Sequence, residues 1–199
     1  MTAAVFSNDL LAPNALPSRG ASLRQRLREA TADQHAELDA AMGRLELRER
    51  AGYLQFLQMN AAALLPLEAA LTHAGASAIL PDWMARKRAG AIASDINRLS
   101  GRLRTLQRPA LAGEEVLGAL YVLEGSRLGA KFLIRDVASS IDPAVLCATS
   151  YLRHGEGQPL WQSFLKTLER HGAALPDDTR VVAGARFAFE FFARATRPL

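Results

Sequence analysis

His35 is the histidine in this sequence best placed to do chemistry. It ends the run LREATADQH, Leu27 to His35, and shares a helical face with Leu27, Thr31, Leu38 and Met42, since neighbours three, four and seven positions apart fall on one side. Asp39, four residues on, can reach back to one ring nitrogen. Such an acceptor fixes the imidazole tautomer and makes the other nitrogen a better metal ligand. Arg28, two turns earlier, puts a cation about 10 Å along the axis, a spacing that suits an anionic group on the rim of a large flat ligand. A histidine on an apolar stripe can equally be a satisfied core residue. His73, His154 and His171 fall in or beside loops or at a helix end and read as surface residues, the last where a cation is favoured.

The second stretch is GALYVLEGSRLGAKFLIRDV, Gly118 to Val137. Leu117, Leu120, Tyr121, Leu128, Phe132 and Val137 recur at helical spacings, yet Gly125 and Gly129 interrupt the middle. Each glycine costs a helix interior about 1 kcal/mol relative to alanine. Four apart, the two lie on one face and leave a shallow trough lined by backbone. That trough can admit a neighbouring helix or a flat ligand, and this segment alone leaves both open.

Taken together, LREATxxxH with the acid Asp39 and YVLEGSxLG, Tyr121 to Gly129, resemble the proximal and distal helices of the haem oxygenases, especially the bacterial biliverdin-producing branch found with bacteriophytochromes. The motifs occur in the right order, His35 and Gly125 being 90 residues apart, and the similarity runs from Ser22 to the last helix. The resemblance implies that His35 ligates haem iron as a neutral imidazole and that Asp39 orients it. It implies that Gly125 and Gly129 let the distal backbone lie close over the haem, and that Arg28 contacts a propionate. Lys166 is placed by rough helical position as another propionate contact, and Thr31 and Tyr121 border the same site. Phe187, Phe189, Phe191 and Phe192 wall the pocket or fill the core, mostly the latter.

Two departures stand out. Many haem oxygenases have an aspartate after the first distal glycine, where it organises the water that delivers protons. Here that position is Ser126, an uncharged group. Ala130 stands where a second glycine often follows Gly129. The implied activity is cleavage of haem by O2 and a reductant to biliverdin, carbon monoxide and ferrous iron. A ferredoxin or flavoprotein reductase is the implied electron donor, and a bacteriophytochrome an acceptor of the product. Two rival readings are a haem-binding or haem-sensing protein without cleavage, and a haem-free helical member of the same superfamily.

The elements that must position these residues read as helices throughout. Residues 1–20, with Pro13, Pro17 and Gly20, form a loose arm, and residues 21–199 one helical domain. Ser22 opens a capping-box pattern with Gln25, starting a helix that runs to about Met42. A second helix spans about Glu49 to Thr72 and should kink at Pro66. A loop from Gly75 to Asp82 precedes a third helix from Asp82 to about Leu103. The glycine-bearing helix starts near Glu114, with acids in its first turn, and ends before Ser139. A short apolar segment, a loop from His154 to Pro159, and helices over Leu160 to His171 and Asp178 to Ala195 complete the chain. Val and Ile show no period-two run, and there is no internal repeat. The fold class is all-α, a single-domain helical bundle of the haem-oxygenase-like type.

Composition narrows the partners. The 199 residues are 49% hydrophobic, enough for one full core. The net charge of +4 is spread among acids, and few aromatics accompany the basic residues, so nucleic acid is not the partner. The densest basic run, Arg86-Lys87-Arg88, reads as a solvated face that could dock an acidic electron donor. Cys147 is the only cysteine. It lacks a partner for nucleophilic chemistry, reads as a buried or inert thiol, and suits a reducing cytoplasm. No secretory signal opens the chain, and no apolar run is long enough to span a membrane.

Overall fold

The computed structural model describes residues 21–197. The proposed arm, 1–20, lies outside the described residues. Within them every regular element is a helix, and none is long and apolar enough to cross a membrane.

The first expected helix is two. α1 (Leu23–Ala30) and α2 (Ala32–Met42) meet at Thr31. The buried Thr31 hydroxyl donates to the Leu27 carbonyl at 2.8 Å, the back-bonding that competes with a regular turn and bends helices. Ser22 caps α1 by accepting from the Gln25 amide at 3.3 Å. The Gln25 side chain instead donates to Glu29, at 3.0 Å, so half of the capping box forms.

α3 (Arg50–His73) carries Pro66 inside it. Proline has no N–H, which leaves the Ala62 carbonyl without its helical donor. Leu106 supplies one at 2.9 Å from the irregular segment after residue 100, so the proline doubles as an anchor for that segment.

The stretch expected as a loop, Gly75 to Asp82, contains the short α4 (Ala76–Ile79), and the third expected helix is broken into α5 (Trp83–Arg86) and α6 (Ala89–Arg98). Lys87 is extended, and Ser100, at φ 58°, ends the run early. Asp82 spends its carboxylate on Arg86 Nε at 2.8 Å rather than on a backbone cap. The N-terminus of α6 is capped from afar. Buried Glu68 on α3 accepts from the amides of Arg88 at 2.7 Å and Ala89 at 3.0 Å, placing a carboxylate at the positive end of the helix. Its pKa is still raised, because burial outweighs those amide bonds.

The glycine-bearing helix also divides, into α7 (Glu115–Gly125) and α8 (Arg127–Val137), with the break at Ser126. α9 (Pro143–Cys147) is capped by Asp142, which accepts from the Ala144 amide at 2.8 Å and also binds Arg50. α10 (Leu160–Gly172) and α11 (Thr179–Ala195) follow.

α7 and α11 form the spine. α7 is apolar on nearly every side, with Val116, Leu117, Ala119, Leu120, Val122 and Leu123 all buried, as a central helix must be. The two backbones touch at Gly118 and Gly184. A Cβ on Gly118 would run into the backbone of Val181 and Ala185, and one on Gly184 into that of Glu115. α2, α3 and α1 pack against α11 as well, and α10 packs against α7 and α1. Cys147, expected to be a buried or inert thiol, is exposed at the end of α9.

Candidate functional site

α2 presents His35 toward α11. The imidazole lies 5.6 Å, centroid to centroid, from buried Phe189, and its Nδ1 is 3.3 Å from Asp39 Oδ2, one turn on. The His35 side chain is 24% exposed, so it is neither sealed in the core nor free on the surface. A carboxylate beside Nδ1 favours the tautomer with the ring proton on Nδ1 and the lone pair on Nε2.

α7 presents Gly125 toward α10. A Cβ built there would meet only the Trp161 indole, at an ordinary 3.7 Å. The tight helix crossing therefore falls at Gly118 and Gly184, and Gly125 faces a side chain rather than a backbone. Tyr121, one turn before, lies 5.8 Å from Trp161. The Arg24 guanidinium sits over the same indole at 5.9 Å. Burial raises the Tyr121 pKa, while the nearby charges of Arg24 and Arg28 act to lower it. Arg28 is exposed on α1, one turn beyond Arg24.

The structure thus brings Arg28, Tyr121 and Gly125 together, with Trp161 and Arg24 as members that sequence reasoning missed. His35 and Asp39 lie apart from these on α2, and α11 packs on both α2 and α7. Thr31 is buried at the α1–α2 joint with its hydroxyl proton committed to Leu27. Gly129 is buried on α8. Lys166 is exposed on α10, five residues past Trp161 and so about 140° around the helix from it; it does not share that residue's face. Phe187 is partly buried, and Phe189, Phe191 and Phe192 are core.

The largest correction concerns Arg86-Lys87-Arg88. Arg86 is 2% and Arg88 4% exposed, so the run is no solvated docking face. Arg86 donates to Glu124 at 2.6 Å, to the Leu160 carbonyl at 2.9 Å and to Ser163 at 2.6 Å. Arg127 grips both oxygens of the same Glu124, each at 3.0 Å, and donates to the Arg86 carbonyl at 2.5 Å. Glu124 is buried between two guanidiniums, directly before Gly125. This network ties α5, α10 and the α7–α8 joint together, and so fixes where the glycines lie. His154, expected on the surface, is half-buried beside it. Its Nδ1 is 3.3 Å from Arg127 Nη1, and burial, then the Arg127 charge, lowers its pKa. Among the described residues there is no cluster of three or more His, Cys, Asp or Glu that could hold a metal ion.

A family model described as Heme oxygenase matches residues 21–197. A heme oxygenase of Xanthomonas campestris pv. campestris (strain 8004) is 26% identical over 142 residues, covering 70% of this chain and 86% of that protein. Among solved structures, the NO- and CO-bound heme oxygenase from Neisseria meningitidis superposes with a TM-score of 0.74 at 21% identity, over 89% of this chain and 92% of that one. The fold is therefore that of the haem oxygenases, and with the family model spanning all but the two ends of the sequence, the chain belongs to the haem oxygenase family of haem-degrading enzymes.

Proposed function

We propose that this protein cleaves haem to biliverdin, carbon monoxide and ferrous iron, taking oxygen from O2 and electrons from a ferredoxin or flavoprotein reductase. The reaction supplies either biliverdin as chromophore for a bacteriophytochrome or iron. The observation that carries the reading is the His35–Asp39 pair against Phe189, a largely covered imidazole with a carboxylate beside Nδ1. Haem bound as substrate supplies the iron at which oxygen is activated. Nε2 of His35 holds that iron, Asp39 keeps the ring in the ligating tautomer, and Phe189 limits its swing. Gly125 and Gly129 leave the opposite roof without side chains. Arg28, with Arg24 beside it, offers guanidinium donors to the propionates. Adding hemin to the protein tests the reading. A Soret band that converts to a biliverdin spectrum with reductant is expected; a stable band means binding without cleavage, and no band removes the reading.

The glycines give a second test, because Gly118 and Gly125 separate packing from ligand contact. Gly118→Ala drives a methyl into the α11 backbone and should cost about 1–3 kcal/mol or more in urea unfolding. Gly125→Ala places its methyl in ordinary contact with Trp161 and gains helix propensity of up to about 1 kcal/mol. Its unliganded stability should hold or rise while hemin affinity falls. Equal destabilisation by both would make Gly125 a packing residue.

Arg28 is expected to set haem orientation. Arg28→Ala should weaken hemin binding by about tenfold or less, since the contact is exposed to solvent. Turning the haem in its plane changes which meso carbon lies nearest the bound oxygen, so the biliverdin isomer mixture should change visibly on chromatography. Lys166→Ala is the comparison: an equal change would put Lys166 at the same rim, while an unchanged profile in both variants would leave orientation to packing.

A further inference from the structure

Behind Ser126 lies a small cavity between α3, α8 and the segment after α9, with Asn60, Arg88, Ser126 and Tyr151 as its polar lining and Phe56 and Leu133 among its apolar walls. Arg88 is 4% exposed. Its guanidinium meets no carboxylate within ion-pair distance among the described residues. It donates from Nη2 to the Leu123 carbonyl at 2.9 Å and to Ser126 Oγ at 3.0 Å, and lies 5.4 Å over the face of Tyr151.

Ser126 Oγ in turn donates its own proton to the Leu123 carbonyl at 2.8 Å. A hydroxyl has one proton to give and two lone pairs to receive with. Here the proton goes to Leu123 and one lone pair to Arg88. What remains is a single acceptor site. In this arrangement Ser126 faces the cavity as an acceptor.

We propose that Arg88 is a positioning residue for haem degradation, locking Ser126 as a fixed acceptor on the cavity wall and holding a positive charge beside it. A water donating one hydrogen to Ser126 has its other hydrogen aimed away from the wall. That is the service a carboxylate acceptor would give, obtained from a serine and an arginine. Arg88 is itself fixed by Glu68, which accepts from its backbone amide, so α3 sets the clamp on α8. The inference rests on the haem-cleavage reading above.

The test uses the full chain with hemin, comparing wild type with Arg88→Gln, Arg88→Lys and Ser126→Ala. Circular dichroism and the thermal midpoint check folding, and Ser126→Ala, which deletes one oxygen, keeps the test decisive where Arg88→Gln does not fold. Besides turnover, the acid–alkaline transition of the ferric haem complex is followed by absorbance. Loss of a nearby positive charge disfavours the deprotonated form, so Arg88→Gln should move that transition up by about one unit. Arg88→Lys keeps the charge but not the planar fork. Its transition should stay near wild type while biliverdin formation falls about tenfold, the loss of one charge-assisted hydrogen bond. Ser126→Ala should lose a similar factor, and the Arg88→Lys/Ser126→Ala pair no more than either alone. Wild-type transition and rate in Ser126→Ala and Arg88→Lys, with hemin still bound, would overturn the inference alone. Wild type that binds no hemin overturns it together with the reading it rests on.

Discussion

His35→Ala is expected to abolish haem turnover and to change the ferric absorption spectrum, with little effect on the fold. The side chain is partly exposed, beside the Asp39 carboxylate and the edge of the core at Phe189, so its removal opens no sealed cavity and the thermal midpoint should stay close to wild type. Asp39→Asn is the graded companion. It leaves the ligand but weakens the acceptor that fixes the tautomer, and such outer partners are worth about 10- to 100-fold in metal affinity or activity. Replacing His73, His154 or His171 one at a time should leave the spectrum unaltered. His73 is exposed, and His154 is occupied with Arg127. A His35→Ala protein with the wild-type spectrum and full activity would remove His35 from the iron and, with it, the proposed arrangement of the site.

The parts legible in the sequence are those whose cause is local. Ser22 caps the first helix because the acceptor and the amide it serves are three residues apart. Asp39 meets His35 because helical geometry brings i and i+4 together. Thr31 was read as part of a continuous apolar face, and its back-bond to Leu27 could have been suspected from a β-branched hydroxyl in mid-helix.

The buried charges were misread because their partners are remote. Arg86 meets Glu124, Leu160 and Ser163, from 38 to 77 residues away, and a basic run looks the same on paper whether water or carboxylates surround it. The signal was on the acidic side. Glu68 and Glu124 each follow a leucine in a largely apolar helix, and both are buried. Lone acids in apolar helices need donors from elsewhere. The glycines posed a similar ambiguity: Gly118, at the start of the same stretch, carries the helix crossing, while Gly125 meets only a side chain. Nothing in their spacing separates them, since the distinction depends on where α11 passes.

Glu124→Ala should be among the most destabilising single changes in the protein. It leaves Arg86, 2% exposed, without its only buried carboxylate, and strips Arg127 of both its carboxylate bonds. Removing one member of a buried charge network costs about 3–5 kcal/mol, because the remaining charge is uncompensated. For a chain of this size that lowers the thermal midpoint by on the order of 10 °C. The partners are not equal. Burial already lowers the Arg127 pKa, whereas Arg86 keeps Asp82, Ser163 and the Leu160 carbonyl, so the loss should fall mainly on the Arg127 side. Combining Glu124→Leu with Arg127→Met should therefore recover part of the stability lost in Glu124→Leu alone, as apolar replacement of a buried pair often does. Hemin binding separates the structural role from the functional one. If the network matters only for stability, the double variant binds hemin and forms biliverdin as wild type does. If it also sets the α7–α8 joint, as its place directly before Gly125 implies, the recovered protein binds hemin more weakly despite its restored midpoint. A Glu124→Ala protein as stable as wild type in urea would mean that water reaches the two guanidiniums and that the site is not held by this network at all.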